Sequence, residues 1–312
     1  MVLTRRSIVG GALAAGCAPG VAWATVPPVL PLVEVADGVH VAQGRHELFT
    51  AENGGHIANL SVIVGSEGVA VVDTGGSIAV GRALLAAIRA KSELPVRYVI
   101  NTHMHPDHVF GNAAFVGEGT VFAGHFKLPR ALAARGERYI SANGADLGAE
   151  AFDGTRIIPP GLLVEDRMTL DLGGRPLTLV ARKTSHTDND LTVRDEKTGT
   201  LILGDLLFSG HIPAVDGSLK GWLKLLDELR GEAAERGVPG HGPASMPWPA
   251  ALDDETRYLE TLARDVRAVI KSGGTLEQAV QTAGQSERAR WLLFDQFHAR
   301  NVSAAFAELE WE

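Results

Sequence analysis

The stretch Val99-Ile100-Asn101-Thr102-His103-Met104-His105-Pro106-Asp107-His108-Val109-Phe110-Gly111 contains three of the eleven histidines and one carboxylate within six positions. Residues 96–100, which lead into it, are mostly β-branched or aromatic, and this pattern predicts a buried strand. Beyond the strand, side-chain direction still alternates along the extended chain, so His103 and His105 point to the same side. One metal ion can therefore accept both imidazoles.

The next residues direct a second set of side chains to a neighbouring position. Pro106 ends the strand, and Asp107 and His108 begin a turn or a helix. Ordinary polar loop residues are the simplest alternative, but this spacing directly after an apolar strand favours metal ligands. The stretch therefore predicts a site for two neighbouring divalent ions.

The composition limits the class of protein. The chain has 312 residues, 45% of them hydrophobic, which suffices for one large core or two small ones. Without residues 1–24 the 29 basic residues fall to 27 against 37 acidic ones, so the formal net charge falls from −8 to −10. This acidic excess, with no basic run, argues against a nucleic-acid partner. The longest apolar stretch is too short and too rich in glycine to span a membrane.

Residues 1–24 are typical of an export signal. Arg5-Arg6 precede an apolar segment at residues 8–15, and Ala22-Trp23-Ala24 provides small residues at the usual cleavage spacing. The paired arginines indicate the twin-arginine route and a periplasmic location. A lipoprotein signal ending at Cys17 is the alternative, ranked second because alanine stands three residues earlier, where leucine is usual. Since Cys17 is the single cysteine, we expect no disulfide in the mature chain.

Short strands and one helix precede the metal-binding stretch. Residues 33–41 and residues 59–72 each predict a hairpin. Asp73 follows the second hairpin and precedes a predicted helix at residues 77–90. Its carboxylate would either cap that helix or accept a hydrogen bond from behind a metal ligand, and the sequence leaves both interpretations open.

Three further polar residues stand at the ends of predicted strands in the second half of the chain. His186 follows the strand at residues 177–181, Asp205 ends an apolar strand, and His241 lies in a turn between two prolines. Each alone is a weak signal, but with the earlier stretch they give five histidines and two aspartates at strand ends or in the loops beyond them. That regularity indicates one metal centre assembled from distant parts of the chain.

The order and spacing of these motifs resemble the metallo-β-lactamase superfamily over residues 33–243. The resemblance implies an α/β fold, with a four-layer αβ/βα sandwich at residues 30–250 and a C-terminal helical extension at residues 251–312. It implies a first metal held by His103, His105 and His186, a second held by Asp107, His108 and His241, and a bridging Asp205. Aspartate at the bridging position is the pattern of glyoxalase II, lactonases and related hydrolases, whereas subclass B1 lactamases have cysteine there.

A metal pair of this kind implies a hydrolase. Two Zn²⁺ ions, with iron or manganese as alternatives, would share a water, lower its pKa toward neutrality and polarise the substrate. Asp107 and Asp205 would act as catalytic residues by lowering the net charge of the site and orienting the metal-bridging hydroxide. We expect this hydroxide to cleave an ester, thioester, lactone or amide bond of a small-molecule substrate.

Finer motifs carry a narrower resemblance. They are Asn53-Gly54-Gly55-His56-Ile57-Ala58-Asn59, His186-Thr187-Asp188-Asn189-Asp190-Leu191-Thr192-Val193, Gly204-Asp205-Leu206-Leu207-Phe208 and Ala304-Ala305-Phe306-Ala307-Glu308-Leu309-Glu310-Trp311-Glu312. These motifs are similar to the exported zinc metallohydrolases of quinoprotein relay systems, which are related to a protein of sulfur-oxidation clusters. Members of that group occur beside quinoprotein alcohol dehydrogenases and cytochromes. The resemblance therefore implies association with a quinoprotein dehydrogenase, and it leaves the substrate undefined.

Several other residues are open to two interpretations. His125 would line the pocket or, as we favour, have a structural role. Residues in predicted loops would contact substrate, although capping and packing explain each equally well: His56, Asn189, His211, Lys220 and Trp222. Residues 251–312 predict helices with an apolar face. They would cover the sandwich, cap the pocket or form a dimer contact, and we favour the first.

Three classes of function follow from the sequence. A zinc hydrolase is preferred. The same ligand set can hold iron in oxidoreductases similar to persulfide dioxygenases and di-iron flavoproteins, although no flavin-binding segment is visible. The third class is a non-catalytic accessory protein that binds a quinone cofactor or a partner dehydrogenase. Metal content and turnover distinguish the three.

Overall fold

The computed structural model describes residues 26–117 and 119–312, which form two β-sheets with helices on their outer faces. The predicted signal at residues 1–24, including Cys17, lies outside the described residues. Among the helices that are described, none is both long enough and apolar enough to cross a bilayer.

The first sheet has seven described strands in the order of the sequence. They are β1 (Val33–Ala36), β2 (Val39–Ala42), β3 (Leu60–Val64), β4 (Val69–Val72), β5 (Val96–Asn101), β6 (Val121–His125) and β7 (Leu162–Val164). Strands β1 to β4 pair antiparallel, so the hairpins predicted at residues 33–41 and 59–72 are confirmed. Strands β4 to β7 pair parallel, so their carboxyl ends share one edge of the sheet.

The second sheet has the strand order β13-β12-β11-β10-β9-β8. Its strands are β8 (Arg167–Asp171), β9 (Pro176–Ala181), β10 (Leu191–Asp195), β11 (Thr200–Phe208), β12 (Arg236–His241) and β13 (Met246–Pro247). Only β11 and β12 pair parallel within this described sheet. The prediction that the apolar strand ends at Asp205 was wrong, because buried apolar residues extend β11 to Phe208. Asp205 therefore projects from within a strand.

The helices complete a four-layer sandwich. They are α1 (Ile78–Lys91), α2 (Pro106–Val109), α3 (Leu128–Phe152), α4 (Leu219–Arg230), α5 (Asp253–Lys271), α6 (Leu276–Thr282) and α7 (Phe294–Leu309). Ile63 of the first sheet and Leu179 of the second share one core between the sheets. Because side chains alternate along a strand, the neighbouring Val62 faces outward and packs with Leu84 of α1. The predicted αβ/βα architecture is confirmed.

The C-terminal helical extension packs on the outer face of the second sheet. Leu203 of β11, Trp222 of α4 and Leu259 of α5 belong to one buried cluster, to which α6 and α7 also contribute. Its helical character was predicted, but turns interrupt it at residues 272–275 and again before α7. The boundary at residue 250 stays a prediction, since extension and sandwich share this core.

Candidate metal centre

All seven predicted ligands lie together at one edge of the sandwich. His103 and His105 follow β5, Asp107 and His108 lie in α2, His186 lies between β9 and β10, Asp205 lies in β11 and His241 ends β12. Their candidate ligand atoms form two groups, each with all atoms within 4.8 Å of one another. The first group is His103, His105, His186 and Asp205, and the second group is Asp107, His108 and His241. Each group could hold a metal ion.

In the first group three imidazole nitrogens face one another. His105 Nδ1 lies 3.0 Å from His103 Nε2 and 2.9 Å from His186 Nε2. Asp205 Oδ2 lies 3.7 Å from His103 Nε2 and 3.5 Å from His186 Nε2. Three nitrogens and one oxygen therefore surround a common point, which is the ligand number of a tetrahedral site.

The second group is completed by the other oxygen of Asp205. His241 Nε2 lies 3.2 Å from Asp107 Oδ2, and His108 Nε2 lies 3.5 Å from the same oxygen. Asp205 Oδ1 lies 3.1 Å from His108 Nε2 and 3.4 Å from His241 Nε2. One carboxylate thus divides its two oxygens between the two groups.

The donor set fits a pair of divalent cations. His108 Nε2 and Asp205 Oδ1 are buried, and neither forms a hydrogen bond with any described residue. A buried polar atom without a partner is costly, and a cation in the second group would satisfy both atoms. Imidazole nitrogen and carboxylate oxygen are ligands typical of zinc and of other first-row divalent ions.

The electrostatics of the site favour bound positive charge. Burial lowers the pKa of His103 well below its ordinary value and that of His186 to about 3, so both are neutral and can ligate a metal. Burial alone would raise the pKa of Asp107 and Asp205, but the neighbouring histidines outweigh it and hold both pKa values well below the usual range. The two carboxylates in turn overcome burial and raise the pKa of His241 to about 9.

Asp73 supports the site from behind the second group. Its carboxylate accepts hydrogen bonds from Thr102 N at 2.8 Å, from Thr102 Oγ1 at 2.7 Å and from His108 Nδ1 at 2.8 Å. The structure therefore decides between the two roles that the sequence left open, because Ser77 caps α1. Asp73 has a φ of 62°, a left-handed conformation uncommon outside glycine. By binding Nδ1, it leaves His108 Nε2 free to face the site.

Glycines let β11 and β12 approach closely behind Asp205. A Cβ at Gly240 would lie 2.0 Å from Asp205 Oδ1. Asn59 holds the end of β12 that carries His241, which the sequence had placed in a turn, since its amide donates to Pro239 O at 2.9 Å. The sequence placed Asn59 in a motif of the narrower resemblance but indicated no role for it at the site, because a buried asparagine that binds a distant strand leaves no local signal.

Asp216 is a second residue that sequence reasoning missed. Its Oδ2 accepts hydrogen bonds from His105 Nε2 at 3.0 Å and from Arg135 at 2.5 Å, and its Oδ1 accepts one from Arg300 at 2.7 Å. Burial alone would raise the pKa of Asp216, but these three partners hold it well below its usual range. In the sequence, Asp216 precedes Gly217 and looks like an ordinary turn residue.

A cavity of about 270 Å³ opens beside the two groups. Its apolar wall includes Leu48, Phe49, Ile57, Phe208 and Phe297, and its polar lining includes Tyr139, Asn143 and Arg300. Of the predicted substrate contacts, His211 lines this cavity. The other four are absent from its described lining: His56, Asn189, Lys220 and Trp222. Trp222 is fully buried, and Lys220 pairs with Glu312.

His125 lies outside the described lining of this cavity. It is buried at the end of β6, and its Nδ1 accepts a hydrogen bond from the Lys127 backbone N–H at 3.0 Å. Burial lowers the pKa of His125 to about 4, so the ring is neutral. These contacts are those of a satisfied structural histidine.

Fold and site together define a class: a four-layer αβ/βα sandwich that carries paired His/Asp groups at one edge. The sequence model of the metallo-β-lactamase superfamily matches residues 53–241, more than half of the chain. The chain belongs to this superfamily.

Among curated proteins, the chain is similar to the linear primary-alkylsulfatase of Pseudomonas sp. (strain ATCC 19151), with 40% identity over 67 residues. That match covers 22% of this chain and 13% of the alkylsulfatase. Among solved structures, the chain is similar to a stereoselective inverting sec-alkylsulfatase from Pseudomonas sp. (TM-score 0.67, 16% identity), covering 90% of this chain and 50% of that one. It is also similar to a β-lactamase domain protein from Burkholderia ambifaria (TM-score 0.65, 20% identity), covering 92% and 89%. The chain thus spans half or less of the length of the two alkylsulfatases.

Proposed function

We propose that this protein is a dinuclear metal-dependent hydrolase. The observation that carries the proposal is the division of the Asp205 carboxylate, with Oδ2 facing the first group and Oδ1 the second. A carboxylate between two sets of donors is suited to bridge two cations. Membership of the metallo-β-lactamase superfamily and the similarity to two alkylsulfatases support hydrolysis as the reaction.

The chain's own residues would hold and shape the reacting centre. The first cation would be held by His103, His105 and His186, the second by Asp107, His108 and His241, with Asp205 bridging. When bound, two such ions activate a water molecule and polarise the bond that is cleaved. The ionised Asp107 and Asp205 would offset the cation charge and orient the activated water. Zinc is the proposed metal because five of the seven ligands are imidazoles, with iron and manganese as alternatives.

The cavity favours a substrate with an apolar portion beside the bond to be cleaved. Its walls carry Phe49, Phe208 and Phe297, and Arg300 provides a positive charge among its polar lining. We therefore propose esters, thioesters, lactones or amides of small apolar molecules as substrates. Sulfate esters of apolar alcohols join this set, because two of the similar proteins are alkylsulfatases.

The test replaces His105 by Ala and Asp205 by Asn, with Asp227→Asn as a matched control on the exposed face of α4. Bound metal would be measured together with turnover of nitrophenyl esters, lactones, alkyl sulfates and β-lactams. We expect both site variants to lose metal and turnover, and the control to keep both. Full activity in a variant without metal would refute the proposal. Iron in protein purified without added metal, together with no hydrolysis of these substrates, would favour the oxidoreductase. Cofactor binding with an inert centre would favour the accessory protein.

Export and the relay-system association are further parts of the proposal. We propose that residues 1–24 direct the chain to the periplasm through the twin-arginine route, where it would work beside a quinoprotein dehydrogenase. Replacing Arg5 and Arg6 by lysine should abolish the periplasmic mature form. Recovery of that form from the double variant would contradict the export proposal. Co-purification with a quinoprotein dehydrogenase from the periplasmic fraction tests the association.

A further inference from the structure

We propose that helix α7 of the C-terminal extension positions the first group of ligands, and that Asn301 is the principal positioning residue. The helix acts through a connecting segment, residues 209–219, which follows β11 and ends at the first residue of α4. This inference rests on the proposed function, because it assumes that the first group holds a cation.

One side of the connecting segment faces the first group. His186 Nδ1 donates to Ala214 O at 2.7 Å, and His105 Nε2 donates to Asp216 Oδ2 at 3.0 Å. The Asp216 backbone N–H also donates to His186 O at 3.0 Å. These acceptors fix which nitrogen of each ring carries the proton, so His186 Nε2 and His105 Nδ1 remain free to ligate. The segment thereby sets the orientation and the tautomer of two ligands.

The other side of the connecting segment is held by Asn301. The fully buried side chain accepts a hydrogen bond from Val215 N at 2.9 Å and donates to Pro213 O at 2.6 Å. These two contacts flank Ala214, whose carbonyl receives the His186 ring. The Asn301 amide also donates to the hydroxyl of Tyr258 in α5 at 2.9 Å. One side chain thus fixes the peptide that orients His186.

Two further residues of α7 extend this contact along the connecting segment. Arg300 donates to Asp216 Oδ1 at 2.7 Å, on the oxygen opposite His105. Glu308 accepts hydrogen bonds from Ser218 Oγ at 2.6 Å and from Leu219 N at 2.7 Å. Helix α7 therefore holds the segment at three successive places, two of which lie directly behind ligands.

The second group has a different support. His241 ends β12, and this part of the chain is held by Asn59, which donates to Pro239 O at 2.9 Å and to Pro243 O at 3.2 Å, and accepts from Gly44 N at 3.0 Å. Asn59 is buried and, like Asn301, binds backbone on both sides of a residue of the site. The chain thus offers a matched pair of asparagines, one behind each group.

The inference predicts opposite effects of removing the two asparagines. Loss of a residue that orients a metal ligand typically weakens metal binding by about 10–100-fold. Asn301→Ala should weaken metal binding at the first group by about this factor and leave metal binding at the second group unchanged. Asn59→Ala should do the reverse. A merely structural role would lower stability without distinguishing the two sites.

The experiment measures metal stoichiometry during chelator competition and the absorption spectrum of the Co²⁺-loaded protein, with circular dichroism to verify folding. Asn301→Ala should release the ion of the first group at a lower chelator concentration and alter the absorption bands of that group. Asn59→Ala should do the same to the ion and the bands of the second group. Arg300→Ala removes the hydrogen bond to Asp216 Oδ1 and should weaken metal binding at the first group by a smaller factor, even if Asn301→Ala fails to fold. Arg267→Ala, which loses a surface pair with Glu312, is the control.

The outcomes separate this inference from the proposed function. A wild-type protein that binds two ions, with unchanged affinities in Asn301→Ala or in Arg300→Ala, overturns the inference alone. The inference is also overturned if these variants weaken the binding of both ions equally. A wild-type protein that binds fewer than two ions overturns the proposed function, and the inference falls with it.

Discussion

Replacing Asp73 by Asn tests whether a single carboxylate sets the tautomer of His108. Asp73 Oδ1 accepts from Thr102 N at 2.8 Å, and Oδ2 accepts from His108 Nδ1 at 2.8 Å and from Thr102 Oγ1 at 2.7 Å. Asparagine keeps only one acceptor oxygen. Because asparagine tolerates the left-handed conformation that Asp73 adopts, this substitution adds little backbone strain.

The two orientations of the new amide have different consequences. If its NH₂ faces His108, the imidazole must accept there and carry its proton on Nε2, the nitrogen that faces the second group. Metal affinity at the second group should then fall by about 10–100-fold, or about 1.4–2.7 kcal/mol at roughly 1.4 kcal/mol per tenfold. If the NH₂ instead faces Thr102, the buried N–H loses its acceptor. The free energy of unfolding should then fall by about 1–3 kcal/mol.

Chelator competition and urea unfolding of the metal-free protein together distinguish these outcomes. The first measures the affinity of each ion, and the second measures the free energy of unfolding. Asp73→Ala serves as a comparison, since it removes both acceptors and adds left-handed strain of about 1–2 kcal/mol. If Asp73→Asn leaves both quantities within about 0.5 kcal/mol of the wild type, the reasoning about His108 is refuted.

Three other substitutions test the interior. Burial raises the pKa of Glu255 well above its ordinary value of 4.5, so stability is greatest below that value and is lost as the pH rises toward the folded-state pKa. Glu255→Gln should therefore gain stability over the wild type by up to about 1.4 kcal/mol per pH unit above about pH 5, and denaturation at two pH values checks this. Gly240→Ala should displace Asp205 and weaken metal binding by about tenfold or more. Gly161→Ala is the control, because no atom lies within 4 Å of its new Cβ, and it should bind metal normally. Trp222→Ala should lower the free energy of unfolding by about 3–5 kcal/mol, because the indole is fully buried. A raised KM without this loss of stability would instead identify Trp222 as a substrate contact.

The sequence alone predicted the two hairpins and the metal-binding stretch, and its resemblance to the metallo-β-lactamase superfamily implied the fold class and the seven candidate ligands. Alternating apolar residues predicted the hairpins, because a period of two places one face of each strand in a core. The stretch at residues 99–111 predicted paired metal positions, because histidines two apart on an extended chain share a side. These features are local, so the order of residues along the chain is sufficient to reveal them.

Only the tertiary structure decided how these residues are held in place. Strand β12 approaches Asp205 of β11 so closely that a Cβ at Gly240 would lie 2.0 Å from Asp205 Oδ1, and no local pattern encodes this contact. Asp216 and Asn301 act on the site across 111 and 86 residues of sequence separation from His105 and Val215. A hydrogen bond to distant backbone depends on packing rather than on neighbouring residues. The positions that orient the ligands therefore became visible only in the folded chain.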